Sequence, residues 1–411
     1  MSYTFEKSLE LFARAARVIP QGIYGHFTPV FMVPGSYPYF VARAKGSHFW
    51  DVDGNEFIDY MCAYGPMLLG YANDKVDDAY RRQAGLGSCC SIATNLSVEL
   101  AERVTRTIDG ADWVLFAKNG ADATSMAVTL ARGYAKRTKI VLAEEGYHGT
   151  QPWSGSNSVG ITPADRADIV MVPWGDLDAF RKAIARHKDQ IAGAMFTPYH
   201  HPTFADQRLP EPSFWPEMRR ICDENGIVLI IDDVRAGWRL DLKGSAHYFG
   251  IRPDLACFSK GVANGYALSM LVGGDKLRIT ASKAFMTGSF WLNGPEMAAA
   301  LVCLDEMEAI NVTKVVKELG EALMKGLLDR AEAHGLKVSI TGPPAIPFMK
   351  FANETNFLRS QLFCGECARQ GVFFHPHHNW FLSAAHTGQD IEQTLEVADV
   401  AFGLVKERFG D

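Results

Sequence analysis

A chain of 411 residues is too long for one small hydrophobic core, so two domains are expected. With 47% apolar and 21% charged residues it is neither disordered nor fibrous. Its 41 Lys and Arg against 47 Asp and Glu leave a net charge of −6, which lacks the basic footprint of a nucleic-acid binder.

The first twenty residues place Glu6, Lys7 and Glu10 among apolar ones, unlike a secretion signal. With Phe5, Leu9, Phe12 and Ala16 at helical spacing, they read as an amphipathic helix. Strand-like pieces follow between 38 and 60, around the hairpin signal Asp53-Gly54-Asn55. From about 97, helices alternate with short apolar strands at Trp113–Phe116, Ile140–Leu142, Ile191–Phe196 and Ile227–Ile231. That alternation predicts an α/β sheet covered on both faces. Beyond 296 the chain turns helix-rich, with short strands at 337–341, 347–351 and 371–374. We expect a large domain over 61–298 and a small one over 299–411, which the segment 1–60 joins. No apolar run could span a bilayer. Eight scattered cysteines are too sparse for a disulfide scaffold, so the cytoplasm is the expected compartment.

Four places carry candidate chemistry. Asn119-Gly120-Ala121 lies between a strand and a helix, where free amides and the helix dipole favour a phosphate; an ordinary turn capped by Asn is the alternative. Gly146-Tyr147-His148-Gly149 offers an aromatic that can stack on a flat ring, or one that is simply core. Asp232 ends the strand Ile227–Ile231, where open α/β sheets bind ligands, whereas Asp233 reads as a solvated loop acid. Lys260 ends another apolar strand 28 residues later (260 − 232), where desolvation would free its amine for covalent catalysis; taken alone, such a lysine reads as solvated surface. Together, phosphate turn, stacking ring, strand-end acid and strand-end lysine suit pyridoxal 5'-phosphate.

The segments AKGSHFWDVDGNEFIDY, KNGADAT, EEGYHG, LIIDDVRAGWR, PDLACFSKG and NGPEMAAA carry a resemblance over nearly the whole chain. It resembles the class III (ornithine/ω-amino-acid type) pyridoxal-phosphate aminotransferases, in their glutamate-semialdehyde aminomutase-like branch. The resemblance implies the fold-type I architecture: a central, mostly parallel seven-stranded sheet with helices on both faces, plus a smaller α+β domain. It implies a homodimer with shared active sites, a small-molecule amine donor and a carbonyl acceptor, and no membrane or nucleic-acid partner. By position, Lys260 matches the internal-aldimine lysine and Asp232 the partner of the pyridinium nitrogen. Val234 matches the residue below the ring and Tyr147 the one above it, with His148 beside it. Asn119, Gly120 and Ala121 match the phosphate turn. Ser289, with Thr287 as its rival, matches the hydroxyl that reaches the partner's phosphate.

The departures bear on substrate. Ala121 stands where relatives carry Ser or Thr, Thr197-Pro198 replaces Glu-Pro, and the loop Gly22–Thr28 lacks the arginine that holds a substrate carboxylate. Arg235 replaces a Gln or Met beside the cofactor's phenolic oxygen. These changes disfavour glutamate-like substrates and favour transfer between two molecules over the alternative, a 2,1-aminomutase. Tyr24, His26, Trp153, His200 and His201 are candidate substrate residues, each equally readable as core. Cys364-x-x-Cys367 before His375, His377 and His378 has a zinc-like spacing but reads as helix and strand packing, so no metal is expected.

Overall fold

The computed structural model describes residues 3–29, 32–33, 35–154 and 159–410. The chain forms two compact units, one of Met1–Asn73, Thr203–Asp206 and Lys314–Asp411, the other of Asp74–Pro202 and Gln207–Thr313.

The first unit opens with α1 (Glu6–Ala15), then β1 (Val41–Lys45), β2 (His48–Asp51) and β3 (Glu56–Asp59). These strands form an antiparallel meander. At the β2–β3 turn, Gly54 takes φ +94° and the Asp51 carboxylate accepts from the Asn55 amide at 2.8 Å.

The second unit carries α2 (Asp74–Ala84), α3 (Leu96–Thr107), β4 (Trp113–Ala117), α4 (Gly120–Ala135), β5 (Lys139–Ala143) and β6 (Ile169–Val172). It continues with α5 (Leu177–Arg186), β7 (Ile191–Phe196), α6 (Phe214–Asn225), β8 (Val228–Asp232), α7 (Ser245–Tyr248) and β9 (Leu255–Phe258). It ends with β10 (Ser269–Gly273), α8 (Asp275–Lys283) and α9 (Gly294–Ala309). The chain then returns to the first unit through α10 (Val312–Ala333), β11 (Val338–Thr341), β12 (Phe348–Phe351), α11 (Leu358–Arg369), β13 (Val372–Phe373) and α12 (Gly388–Phe409). There β13 extends the meander in parallel with β3, while β11 and β12 form a separate hairpin.

The seven-stranded sheet has the order β4-β10-β9-β8-β7-β5-β6. Only β10 runs against its neighbours, so the other six strands point one way. Strands β7, β8 and β9 are buried along their whole length, as a sheet with both faces covered requires. Helix α4 lies on one face through Ala123, Ala127, Leu130 and Ala131, and these small side chains let it sit close. A Cβ on Gly193 of β7 would stand 3.0 Å from that of Ala131. The other face is filled by Phe180, Phe214, Trp215 and Ile221 from α5 and α6.

Helix α9, which the sequence reading placed at the head of the small domain, packs instead on α2 and α3 within the second unit. It is buried nearly all round, and its composition resembles the helices that follow it, so the sequence pattern carries no break there. Cys364 and Cys367 lie buried in α11.

Candidate active site

With six strands pointing one way, their C-terminal ends share one edge of the sheet. The turn after β4, the loop after β5, and the ends of β8 and β9 therefore bring residues 118–121, 144–149, 232–235 and 260 to that edge.

The turn after β4 opens α4. Asp122, in the helix's first turn, accepts the amide of Asn119 at 2.8 Å and that of Lys118 at 3.3 Å. This leaves the amides of Gly120 and Ala121, at the positive end of a 16-residue helix, without an acceptor among the described residues. A Cβ on Gly120 would meet Val234 Cγ1 at 2.9 Å, so only glycine lets the chain after β8 come this close. At Gly149, with φ +118°, a Cβ would stand 2.6 Å from Ala121 Cβ. The hydroxyl of Thr124 also donates to the His148 carbonyl at 2.7 Å, tying the Tyr147–Gly149 loop to α4.

Asp232 is buried where β8 ends. Its Oδ1 accepts the Val234 amide at 3.1 Å and its Oδ2 lies 2.7 Å from His148 Nδ1. Each oxygen keeps a lone pair for one further donor. His148 is buried as well, which locks the carboxylate's orientation.

Lys260 begins a tight turn, Lys260–Ala263, with φ +47°. A lysine in the left-handed region costs on the order of 1 kcal/mol, a strain typical of functional positions. Desolvation, then the charges of Arg235 and Arg239, push its ammonium down to about 7, and Asp232 acts in the opposite sense. Arg235 is buried, and its charge faces Tyr199, Asp232 and Tyr147. Tyr147 itself is half-exposed.

Asp233 differs from its expected role. It is buried rather than solvated, and its Oδ2 accepts the Ser245 amide at 2.7 Å where α7 begins. Burial pushes its carboxyl up to about 7.

The remaining predicted residues divide. His201 is buried beside Tyr199, and burial together with the charges of Arg235 and Lys260 holds its imidazole well below the usual range. His200 turns the other way: its ring stacks on Trp174 and its Nδ1 lies 3.1 Å from an Arg208 nitrogen. Trp153 packs against the core beneath α4. Ser289 and Thr287 are exposed, and the Ser289 carbonyl faces the Cys89 thiol. Tyr24 and His26 are exposed residues of the first unit, where Tyr64 donates to the His26 carbonyl. One pair at the site's edge has no counterpart in the sequence reading: Lys118 Nζ lies 2.8 Å from Glu296 Oε1 of α9. A cation directly ahead of the turn was visible in the sequence, but its partner 178 residues on (296 − 118) was not.

Comparison with known proteins places the chain in a family. The profile of the family described as Aminotransferase class-III matches residues 32–387. The chain belongs to that family. Aminopentol aminotransferase of Sphingopyxis macrogoltabida is 40% identical over 97% of this chain and 94% of its own. The 3-aminobutyryl-CoA aminotransferase of Cloacimonas acidaminovorans is 34% identical over 98% of both chains. The FumI protein of a Sphingopyxis species, solved as its PLP internal aldimine form, superposes with a TM-score of 0.96. It is 39% identical, with 99% of this chain and 98% of that one covered. A glutamate-1-semialdehyde 2,1-aminomutase of Anoxybacillus flavithermus is 31% identical over 98% of this chain and 99% of its own.

This class III aminotransferase is a pyridoxal-phosphate enzyme, and its own residues fit the cofactor. Two free amides at a helix N-terminus suit the phosphate, a buried carboxylate suits a protonated ring nitrogen, and a desolvated amine suits the aldehyde carbon. Among the described residues no helix is long and apolar enough to cross a membrane.

Proposed function

We propose that the enzyme moves an amino group from a primary amine or amino acid to a carbonyl acceptor in two half-reactions. Lys260 holds the cofactor, and Gly120 and Ala121, after Asn119, bind its phosphate. Tyr147 and Val234 enclose its ring from opposite faces, with His148 behind Asp232. The observation that carries this reading is that Lys260, Asp232 and the free amides of Gly120 and Ala121 meet at one edge of the sheet.

Once bound, the cofactor supplies the electron sink that makes the substrate's amine-bearing carbon acidic. Lys260 Nζ, its ammonium pushed down to about 7 and so largely neutral only above that pH, would take the proton from that carbon and hold it for return. Asp232, held by the Val234 amide and by His148, would pair with the ring nitrogen. Arg235 acts on the lysine: its buried positive charge helps push the Lys260 ammonium down.

A base that must be neutral gives a rate that falls on the acid side. The turnover rate is expected to drop about tenfold per pH unit below about 7, the slope of a single ionisation. Arg235→Gln removes a positive charge beside Lys260, so its acid limb should move to higher pH. A limb that stays in place would show that Arg235 does not act on the lysine.

The substrates named for two relatives, aminopentol and 3-aminobutyryl-CoA, are the first donors to test. Conversion of the bound cofactor to its amine form by one donor, with release of a carbonyl product, supports intermolecular transfer. The absence of an arginine from Gly22–Thr28 speaks against the aminomutase reading. Turnover of a single amino-aldehyde with no second substrate would reverse that choice.

The working unit is a homodimer in the cytoplasm. Leu86, Ile92, Phe285, Phe290 and Leu292 are exposed on loops of the second unit that adjoin where Cys89 Sγ lies 3.3 Å from the Ser289 carbonyl. Such a patch suits a subunit interface, across which Ser289 would reach the partner's phosphate. All eight cysteines are free thiols, which suits a reducing compartment.

A further inference from the structure

The phosphate turn lacks a usual donor and has an acid close by. Ala121 contributes no hydroxyl, and Asp122 places a carboxylate in the same turn. Within this turn the phosphate dianion meets two amides and, next to them, a carboxylate, which calls for a nearby positive charge. Lys118, the residue that follows β4 and precedes Asn119, is the candidate to supply it.

Lys118 and Glu296 form an ion pair, with Nζ and Oε1 2.8 Å apart and side chains only 12% and 11% exposed. Among the described residues neither Lys118 Nζ nor Glu296 Oε2 makes an aligned hydrogen bond, although both atoms are buried. An ammonium with three donors and a single, poorly aligned partner keeps donors to spare. Asn119 is extended (φ −113°, ψ 156°), so Lys118 stands one extended residue from the free amides of Gly120 and Ala121. Its ammonium is largely shielded from water, where screening by salt is weak.

We infer that Lys118 supplies the positive charge facing the cofactor's phosphate in place of the missing hydroxyl, and that Glu296 holds and tempers that charge. The inference rests on the placement of the phosphate at Gly120–Ala121. It predicts unequal effects from the two halves of one ion pair: loss of Lys118 weakens binding and loss of Glu296 does not. A purely structural strut between β4 and α9 would respond alike to the loss of either partner.

The test measures dissociation constants of pyridoxamine 5'-phosphate and of pyridoxamine on the cofactor-stripped full-length enzyme. Neither probe bonds to Lys260, and their ratio isolates the phosphate. Lys118→Met is expected to weaken pyridoxamine 5'-phosphate about tenfold, as for a lost charge-assisted contact, with pyridoxamine unchanged. Glu296→Gln should keep or tighten that affinity, while both variants melt at a lower temperature than the wild type. Lys118→Arg, which keeps the charge, should bind within about threefold of the wild type and covers the case in which Lys118→Met does not fold.

Equal weakening in Lys118→Met and Glu296→Gln, or none in Lys118→Met, overturns the proposal. Ala121→Asp checks the underlying placement, since a carboxylate there should cost about a hundredfold in pyridoxamine 5'-phosphate affinity. Unchanged binding in Ala121→Asp would overturn the phosphate site itself. Weakened binding in Ala121→Asp with normal binding in Lys118→Met would overturn only the role of Lys118.

Discussion

Lys260→Ala is expected to lose at least about 10⁴-fold in turnover rate while still binding the cofactor. The size follows from two roles lost at once: the group that holds the cofactor and the base that moves the proton. The phosphate amides and Asp232 do not depend on the lysine side chain, so cofactor retention should survive. Dialysed variant protein should therefore carry cofactor that releases freely on denaturation. Added methylamine should restore part of the turnover by taking the lysine's place as base. Turnover within tenfold of the wild type would remove Lys260 from the chemistry.

Asp232→Asn is expected to cost about 10²–10³-fold, the scale of losing one oriented electrostatic contact in a site closed to water. The amide is nearly the same shape, and its oxygen can keep the Val234 amide bond. The negative charge goes, and with it the force that keeps the ring nitrogen protonated. His148 makes the case sharper. Its Nδ1 lies 2.7 Å from Oδ2 in a buried pair, so the Asn variant must turn its NH₂ either toward His148 or toward the ring. A loss in turnover with melting temperature nearly unchanged would assign the effect to charge. Full activity in the variant would contradict the role given to Asp232.

Much of this site was legible in the sequence because its parts are local. Asn119-Gly120-Ala121 is a strand-to-helix turn whose two flanking patterns differ in period, and Asp232 and Lys260 each follow an apolar run. A parallel sheet collects such strand ends on one edge, so four short segments become one site without any contact being known in advance. What was not legible depends on distant partners. Asp233 looked solvated because nothing nearby in the sequence announces that Ser245 will meet its carboxylate. His200 and His201 are adjacent, yet one faces Trp174 and Arg208 while the other sits by Arg235 and Lys260. Their orientation depends on the path of the chain after β7, which no periodicity encodes. Strand β10 was missed for a related reason: it is the antiparallel member, wedged between β4 and β9, and breaks the strand–helix alternation used to find the others. The Lys118–Glu296 pair joins residues 178 apart (296 − 118) and could be seen only in the folded chain.

The most direct test of the account is where the cofactor attaches. Purified enzyme is reduced with borohydride, its visible spectrum is followed, and the reduced protein is mapped by peptide mass. The account predicts a yellow band that disappears on reduction and a single phosphopyridoxyl adduct on Lys260. An adduct on another lysine, or a protein that stays colourless and unmodified after incubation with pyridoxal 5'-phosphate, would contradict it.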